Sequence, residues 1–455
     1  MSLQRRMTHR NRAARLAPIA LGTGLLLGLA GCSAPGSGSS APAAEQATEI
    51  DAPVTAEQVA ELGDVTLHVW ADQGEQDLMD AFVPAYEKMY PNVDVEIQFK
   101  SYNDLTATVV NAMNSDDAPD VTQGNQGWAT DGALVKAGLI RPLDDVADAY
   151  GYRDAAGSAI TQLEWSEDGK TFGSGSVYGM SPDNQMVGLF YNKEKLAKLG
   201  AEVPASLDDF EATLEKAAKA GELPISLGNS DKAAAMQAFS LVQGVQTPAE
   251  DTRAWIAGEQ QADFAVPSNV DALKTFASWA DRGYFTAGYD GSSPDDAAAA
   301  FAGGDGVFFV GGNWFASTIS DADTFGFTAG FEEGGYATAG SFGMPWHVSS
   351  KSDAELAAVA WVGMLNSEET APMLADVQRV PVHGVEAGDG KTTFGDLLTA
   401  SSDQLQGSGP LFWYDWATDT MFDTFTGGLQ ETMAGRTSPE DLAKRIQEDW
   451  SAFHA

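Results

Sequence analysis

The chain has little positive charge and almost no cysteine. Its 455 residues contain 26 lysines and arginines against 65 aspartates and glutamates, which gives a formal net charge of −39. This acidic excess argues against binding to nucleic acid and against charge-driven docking on anionic lipid, and it disfavours a polyanionic ligand. Cys32 is the one cysteine, so no disulfide can form within the chain. A chain of this length has enough residues for two lobes of roughly 150 to 200 residues, whose cores must supply the stability.

The sequence also lacks the usual signatures of catalysis and metal binding. Its five histidines include no pair at metal-binding spacing, and no serine lies in a G-x-S-x-G elbow. Adjacent acids such as Asp208 and Asp209 fit a helix N-terminus, whereas glycosidase carboxylates must face each other about 5 to 9.5 Å apart. We therefore expect no enzyme activity, no metal and no cofactor.

Long apolar runs are absent outside the N-terminus. Arginines are frequent in residues 1–15, residues 16–30 are apolar, and Leu29-Ala30-Gly31-Cys32 follows and resembles a bacterial lipoprotein box. The pattern predicts a lipoprotein signal peptide over 1–31 and a lipid anchor on Cys32. Residues 32–62 are rich in Ser, Ala, Pro, Gly and Glu, which predicts a flexible tether.

The first part of the remaining chain alternates between strand and helix patterns. VTLHVW (65–70) and NVDVEIQFK (92–100) are β-rich, and each precedes a segment with helical spacing, 75–90 and 103–115. APDVTQGN (118–125) is typical of a strand that runs into a loop. This alternation predicts an α/β lobe with a largely parallel sheet, whose ligands bind beyond the carboxyl ends of the strands.

The second part repeats the same alternation. QMVGLFYNKEKLAKLG (185–200) predicts a strand and then a helix, and DDAAAAFAGGDGVFFVGGNW (295–314) predicts helix, turn, strand and loop. Ser206 with Gly221 delimits one helix, and Ser438 with Pro439 opens the last one. The sequence thus predicts a second α/β lobe.

Several segments, in this order, resemble one known family. They are the opening strand with YPNVDVEIQF, the APDV strand, LFYNK followed by PASLDDF, AAAAFAGGDGVFFVGGNW, and the C-terminal FWYDWATDTMF with AGRTSPEDLAKRIQEDW. In order and spacing these segments are similar to the extracellular sugar-binding proteins of ABC importers, the family of the maltose-binding protein. The resemblance covers nearly all of residues 64–455.

The resemblance implies a two-lobed periplasmic-binding-protein-like fold with the ligand in the cleft between the lobes. It places lobe one at 64–183 plus 342–382 and lobe two at 184–341 plus 383–455, with hinge closure around the ligand. It implies an extracytoplasmic, lipid-anchored solute-binding subunit, expected to be a monomer. This subunit would capture a neutral mono-, di- or oligosaccharide and deliver it to ABC permease and ATPase subunits.

The chemistry of a sugar selects the candidate binding residues. Flat aromatic rings cover the apolar C–H faces of a pyranose, and planar polar side chains pair with its hydroxyls. By matching the family's segments and the predicted strand ends, we expect the ligand to contact Trp70, Asp72, Glu75, Asn125, Gln126, Asn184, Gln185, Asn229, Asp231, Trp314, Trp346, Arg379, Trp413, Tyr414, Asp415 and Trp416. Asn184 and Gln185 are amides where the family has a carboxylate.

Two other functions stay open at this point. The same fold could bind a polyol, a polyamine or a peptide, although the number of tryptophans and the matched stacking positions favour a sugar. A surface lipoprotein glycosidase is the other alternative. Four tryptophans on helical faces with apolar neighbours are predicted to be core residues: Trp255, Trp279, Trp361 and Trp450.

Overall fold

The computed structural model of the protein describes residues 48–384, 388 and 391–455. The predicted signal peptide (1–31) and Cys32 lie outside the described residues, as does the first part of the predicted tether. Residues 48–62 differ from the predicted tether, because Ile50, Val54 and Val59 are buried and Ala56–Ala60 form a short helix. These three apolar side chains pack into the core that contains β1, although the average composition of the segment is that of a tether.

Strands occur throughout the described part of the chain. In chain order they are β1 (Val65–Asp72), β2 (Val93–Lys100), β3 (Val121–Gln123), β4 (Glu164–Trp165), β5 (Ser176–Val177), β6 (Asp183–Asn192), β7 (Ile225–Ser226), β8 (Phe308–Gly312), β9 (Phe325–Thr328), β10 (Gly340–Phe342), β11 (Trp346–Val348) and β12 (Val380–Pro381).

Helices separate most of these strands. They are α1 (Ala56–Ala60), α2 (Gln76–Met89), α3 (Tyr102–Met113), α4 (Asp131–Lys136), α5 (Asp144–Ala149), α6 (Tyr152–Ala156), α7 (Lys193–Leu199), α8 (Leu207–Ala220), α9 (Ala233–Gln246), α10 (Ala249–Ile256), α11 (Pro267–Asp281), α12 (Pro294–Ala302), α13 (Glu355–Leu365), α14 (Ala371–Asp376), α15 (Thr393–Gln406), α16 (Met421–Met433) and α17 (Pro439–Phe453). None of these helices is both long and apolar enough to cross a membrane.

The predicted helix boundaries with capping serines are confirmed. The Ser206 side chain accepts a hydrogen bond from the Asp209 amide at the start of α8, and Gly221 takes a left-handed conformation at its end. The Ser438 side chain does the same for the Asp441 amide at the start of α17. Each cap satisfies a backbone amide that the helix leaves without a partner.

The first sheet has the strand order β11-β3-β1-β2. β1 pairs in parallel with β2 and β3, and β11 runs antiparallel to β3. Along β1 the side chains of Leu67, Val69 and Ala71 are buried, whereas those of His68 and Trp70 lie on the other face. The parallel strands end at the same edge, which brings the segments after β1 and β3 together.

The second sheet is built around β6, in the order β10-β6-β8-β7. The start of β6 pairs with β12 and β10, and its end pairs with β8 and β9, all of them antiparallel. The two sheets and their helices form the two-lobed α/β fold that the sequence predicts. The exact lobe boundaries stay a prediction.

Separate hydrophobic cores support the two sheets. One core packs β1, α2 and α13 around Trp361, while a larger one packs α8, α9, α11, α16 and α17. A third, smaller core lies between β8, β9, α12 and α15. Trp255, Trp279, Trp361 and Trp450 are all buried in these cores, as predicted.

Candidate functional site

A cavity of about 250 Å³ lies where the ends of the first sheet meet the second sheet and the C-terminal segment. Its volume is just below the range of about 300 to 1,000 Å³ typical of small-molecule sites. Eighteen residues line it: Asp72, Gly74, Glu75, Tyr102, Asn125, Gln126, Gln185, Asp231, Ala233, Met236, Gln237, Trp314, Phe342, Met344, Arg379, Trp413, Asp415 and Phe422. Ten of the sixteen predicted binding residues are in this set.

Short turns that follow strands place several of these residues. β1 ends at Asp72 and continues into a 3-10 turn over Gln73–Glu75, and β8 continues into another over Asn313–Phe315. A third 3-10 turn, Tyr414–Ala417, lies in the C-terminal segment and carries Asp415. Because a tight turn fixes the backbone just beyond a strand, its side chains face the cavity at defined positions.

Two tryptophans form an aromatic corner in the cavity. The ring centres of Trp314 and Trp413 lie 6.0 Å apart, with their planes inclined by 48°. The Trp413 indole donates a hydrogen bond to Ser341 Oγ at 2.6 Å, which fixes its ring. A Cβ added at Gly312 would lie 2.0 Å from the Trp314 ring, so this glycine makes room for the indole.

A hydrogen-bonded network of polar side chains joins the segment after β3 to the C-terminal segment. Asn125 donates from Nδ2 to Asp415 Oδ2 at 3.0 Å and to the Tyr102 hydroxyl at 3.1 Å. The Tyr102 hydroxyl donates to the same Asp415 oxygen at 3.4 Å, and the Trp416 indole donates to Asn125 Oδ1 at 3.2 Å. The network fixes these side chains in place before any ligand is bound.

A buried ionic cluster lies beside this network. The Arg379 guanidinium donates to Glu75 at 3.0 Å and to the Gly74 carbonyl at 2.6 Å, and it lies 3.5 Å from Asp183 Oδ2. Burial opposes the charge on Arg379, but Glu75 and Asp183 outweigh it and raise the pKa of the guanidinium. Arg379, the residue before β12, therefore links the turn after β1 to Asp183 at the start of β6.

The carboxyl groups of Asp72 and Asp183, around the cluster, have raised pKa values. Burial raises the pKa of Asp72 to about 6, with a further contribution from the charge of Glu75, although the Gly74 amide donates to Asp72 at 2.8 Å. Burial also raises the pKa of Asp183 against the opposing charge of Arg379. Such shifts are typical of functional sites, where polar groups are held ready for a partner.

Residues from the start of α9 form another wall of the cavity. The Asp231 side chain accepts a hydrogen bond from the Ala234 amide at 3.3 Å, and burial raises the pKa of its carboxyl group. Met236 and Gln237 follow on the first turn of the helix and line the cavity. This wall comes from predicted lobe two, whereas Asp72 and Asn125 come from predicted lobe one.

The two glutamines at the cavity have different surroundings. Gln126 is buried and donates from Nε2 to the carbonyls of Phe342 and Gly343 at 3.1 and 3.0 Å. Its amide nitrogen is thus used to hold the segment after β10. Gln185 lines the cavity and also a larger groove, so it lies between the two spaces.

Three of the predicted binding residues are tryptophans that lie away from the cavity. Trp70 is on the outer face of β1, where the Lys100 ammonium lies 3.8 Å from its ring centre. Trp346 is fully buried in β11, with its ring centre 6.2 Å from that of Trp361. Trp416 is buried against Phe412 and reaches the site only through its hydrogen bond to Asn125.

Three polar predictions also lie elsewhere. Asn184 donates to the Pro381 carbonyl at 3.1 Å and faces the larger groove. Asn229 is buried and accepts from the Ala235 amide at 2.9 Å, so it holds the start of α9. Tyr414 donates to Gln243 at 2.6 Å and stacks on Phe425 in the core. These three side chains bond to the fold itself, and the structure does not bring them to the cavity.

The sequence analysis did not name several residues at the site. Tyr102 begins α3 one residue before the predicted helix, and its hydroxyl reaches Asn125. Asp183, just before the predicted pair Asn184 and Gln185, supplies the carboxylate near Arg379. The family has a carboxylate close to position 183, and this signal could have identified Asp183 from the sequence.

The larger groove has a volume of about 1,480 Å³ and shares Gln185 and Phe342 with the cavity. It is wide and open, and small or polar side chains form much of its wall. The paired indoles and the Arg379 cluster belong to the smaller cavity alone. We therefore assign the candidate site to the smaller cavity, since ligand sites combine enclosure with a few convergent polar groups.

Within the described residues, no group of three or more His, Cys, Asp or Glu side chains is arranged to hold a metal ion. His347 is buried, and its ring contacts Asp131 at 3.1 Å and the Tyr178 carbonyl at 2.8 Å. The side chains that line the cavity offer hydrogen-bonding groups, aromatic rings and charge.

Solved structures share this fold. A chitin oligosaccharide binding protein has a TM-score of 0.73 and 20% identity, with 86% of this chain and 99% of that chain covered. The raffinose complex of the solute-binding protein RafE has a TM-score of 0.69 and 18% identity, covering 86% and 100%. Maltose-bound T. maritima MalE3 has a TM-score of 0.68 and 15% identity, covering 85% and 99%.

Sequence comparisons give the family. An uncharacterized ABC transporter extracellular-binding protein from Pyrococcus horikoshii is 24% identical over 284 residues, which cover 59% of this chain. The match spans 58% of the length of that curated relative. The model of the bacterial extracellular solute-binding protein family matches residues 81–387. Since this match covers more than half of the chain, the chain belongs to the bacterial extracellular solute-binding proteins.

Proposed function

We propose that the protein is the sugar-binding subunit of an ABC importer and that it holds its ligand in the cavity lined by Trp314 and Trp413. The observation that carries this proposal is the pair of indole rings at one side of a cavity whose other walls are polar. Aromatic faces combined with planar polar groups suit a pyranose, which has apolar C–H faces and a rim of hydroxyls.

The polar rim supports the same ligand class. Asp72, Asp231 and Asp415 offer carboxylate oxygens, and Asn125 offers an amide that already bonds within the network. Hydrogen bonds from hydroxyls to ionised carboxylates are about twice as strong as those between neutral groups. Because these side chains are held by their neighbours, little side-chain entropy is lost when they bind a sugar.

The size of the cavity favours a small sugar. A volume of about 250 Å³ has room for few sugar rings, so we propose a mono- or disaccharide over a long oligosaccharide. The proteins of similar structure support the class, since one is a chitin oligosaccharide binding protein and the other two hold raffinose and maltose.

Binding would act by shifting the equilibrium between open and closed lobes. The cavity takes residues from both predicted lobes, so a ligand that contacts Asn125 on one side and Trp314 on the other stabilises the closed arrangement. The closed form would be recognised by the permease, and ATP hydrolysis would belong to the ATPase subunit. In this proposal the protein acts as a monomer and catalyses no reaction.

The N-terminus supports an extracytoplasmic location at the membrane. The Arg-rich start, the short apolar run and Cys32 after Gly31 are typical of a bacterial lipoprotein. We propose that a lipid on Cys32 anchors the protein, with the segment that follows as the tether. Such an anchor keeps the binding protein near its permease.

A thermal-shift screen of the purified protein tests the proposed function. The panel contains mono-, di- and oligosaccharides together with polyols, polyamines, peptides and amino acids. A ligand that binds only the folded state raises the melting temperature by mass action, so we expect a clear rise with one sugar family. A rise confined to non-sugars contradicts the sugar assignment. In a separate incubation of the purified protein with an oligosaccharide, release of product would contradict the absence of catalysis.

A further inference from the structure

We propose that the cavity selects a sugar that carries a protonated amine over the same sugar with a neutral group at that position. The inference rests on the proposed sugar-binding function and departs from the expectation of a neutral sugar. It names the ligand class as an amino sugar with a free amine, bound with its ammonium among Asp72, Asp231 and Asp415.

The first support is the balance of charge in the cavity wall. Four carboxylates line it, from Asp72, Glu75, Asp231 and Asp415, and Arg379 is the one cation in the lining. Hydroxyls can bond to carboxylates, but they leave this negative charge uncompensated in an enclosed space. A ligand with a positive charge removes that cost, because like charges in a site of low dielectric raise each other's energy.

The second support is that Arg379 is already paired. Its guanidinium donates to Glu75 at 3.0 Å and to the Gly74 carbonyl at 2.6 Å, and the nitrogen that donates to Glu75 also lies 3.5 Å from Asp183 Oδ2. In contrast, Asp72, Asp231 and Asp415 form no ion pair with any side chain of the described residues. The excess charge is therefore located on these three carboxylates.

The third support is that the three carboxylates line one cavity although they lie far apart in the chain. The Tyr102 hydroxyl donates to Asp415 at 3.4 Å, and burial raises the pKa of Tyr102 well above its usual value, with further contributions from the negative charges of Asp415, Asp72 and Asp231. Three segments far apart in the chain thus each bring a carboxylate to the wall of the same cavity: the end of β1, the loop before α9 and the turn at 414–417.

The fourth support is a buried acceptor without a donor. Asp72 Oδ1 accepts from the Gly74 amide at 2.8 Å, but Asp72 Oδ2 is buried and has no hydrogen-bond partner in the described structure. A buried carboxylate oxygen without a donor is unfavourable, because nothing replaces the hydrogen bonds it made with water. An ammonium group of the ligand brings up to three donors and a charge to such an oxygen.

The aromatic corner of Trp314 and Trp413 can bind an ammonium group, and its two flat surfaces favour a ligand that contains a sugar ring. Indole faces attract ammonium groups as well as the C–H faces of a sugar. Across the part of the chain that the structure describes, no lysine or arginine lies over the ring of Trp314 or Trp413.

The test measures the affinity of the full chain for matched sugars by calorimetry. Each set has an amine, an acetamide or a hydroxyl at one carbon, as in glucosamine, N-acetylglucosamine and glucose, the galactose set, and the β-1,4 disaccharides of the glucose set. We expect at least one amine to bind tenfold or more tightly than its hydroxyl partner at pH 7, with the ratio falling as salt is raised.

Three outcomes overturn the inference, and they are distinguishable. If a neutral sugar binds and its amine partner binds equally or more weakly, the inference fails and the proposed function stands. If no sugar in the panel binds, both fail. If free polyamines bind and amino sugars do not, the acidic site is real but the sugar assignment fails with the inference.

Charge-neutral variants locate the effect. Asp72→Asn and Asp231→Asn keep the shape and the backbone hydrogen bonds, and each should lower the tenfold preference for the amine at least threefold with a smaller effect on the neutral partner. Asp116→Asn removes an exposed carboxylate outside the cavity and is the control. A preference that survives in both cavity variants, or that falls equally in the Asp116 variant, overturns the assignment.

Discussion

The indoles of Trp314 and Trp413 face one cavity with their ring centres 6.0 Å apart and their planes inclined by 48°. They are 99 positions apart in the sequence, at the end of β8 and before the turn at 414–417. Two flat surfaces at this angle form a corner in which one ring face and one ring edge of a ligand can be covered together. This geometry is the basis of the sugar assignment.

Removal of either indole should weaken sugar binding without unfolding the protein. We expect Trp314→Ala and Trp413→Ala each to cost about 1 kcal/mol or more of binding free energy, because aromatic contact with the ring is lost. Calorimetry with the best sugar from the screen measures the loss. Trp70→Ala is the control, since Trp70 lies outside the cavity. Unchanged affinity in both cavity variants would show that the site is elsewhere.

The Tyr102 hydroxyl should contribute to affinity more than to stability. Tyr102→Phe keeps the ring and removes the bonds to Asn125 and Asp415, which leaves both side chains less well fixed. We expect a loss of about 1 kcal/mol in binding free energy. Tyr90→Phe is the matched control, because its hydroxyl bonds to the Val54 carbonyl away from the cavity. Equal loss of affinity in the two variants contradicts the role of the network.

Arg379 should be essential for stability. Arg379→Met leaves Glu75 and Asp183 buried without their cation, so we expect a loss of about 3 to 5 kcal/mol in the free energy of unfolding at pH 7.5. The loss should shrink towards pH 4.5, because burial raises the pKa of the Asp183 carboxyl group, which takes up a proton there once its cation is removed. Urea denaturation measures both values. Arg153→Met, which breaks partly exposed ion pairs, should cost about 1 kcal/mol or less.

Asp72 should destabilise the folded protein at neutral pH. Its pKa is about 6 in the folded protein against an ordinary value of 3.8, so the folded state binds its proton more tightly than the unfolded state does. Its contribution therefore falls as the pH rises from about 4 to about 6. Asp72→Asn should raise the free energy of unfolding by on the order of 2 kcal/mol at pH 7.5 and change it little at pH 3.5. A loss of stability at pH 7.5 would contradict this account.

Cys32 should determine membrane association. Cys32→Ala removes the thiol that would carry the lipid, so we expect the variant to leave the membrane fraction and to keep its melting temperature. Fractionation followed by a thermal melt measures both. Ser33→Ala, one residue further on, is the control and should stay with the membrane. A Cys32 variant that still sediments with membranes would disprove the anchor.

Local patterns were enough to predict the α/β alternation and many strand ends. β1 and β2 were each predicted within two residues of their observed bounds, because alternating β-branched residues and turn residues mark them clearly. The same patterns placed Trp314 just beyond a strand. The ends of parallel strands meet at one edge, so residues such as Asp72 and Asn125 could be assigned to a common site.

Long-range pairs could not be predicted in this way. Arg379 and Glu75 are 304 positions apart, and Tyr102 and Asp415 are 313 apart, so no periodicity links them. The sequence also does not show on which face of a short strand or turn a side chain lies, because a shift of one residue in register moves it to the opposite face. Trp346 and Tyr414 were expected at the ligand, and they lie in the two cores for this reason.

The most direct test is a crystal structure of the protein with the sugar that raises its melting temperature most. The account predicts one sugar ring against Trp314 and Trp413, with polar groups of the ligand within hydrogen-bond distance of Asn125, Asp72 or Asp415. Sugar density in the larger groove, or a ring that contacts neither indole, would contradict the central claim.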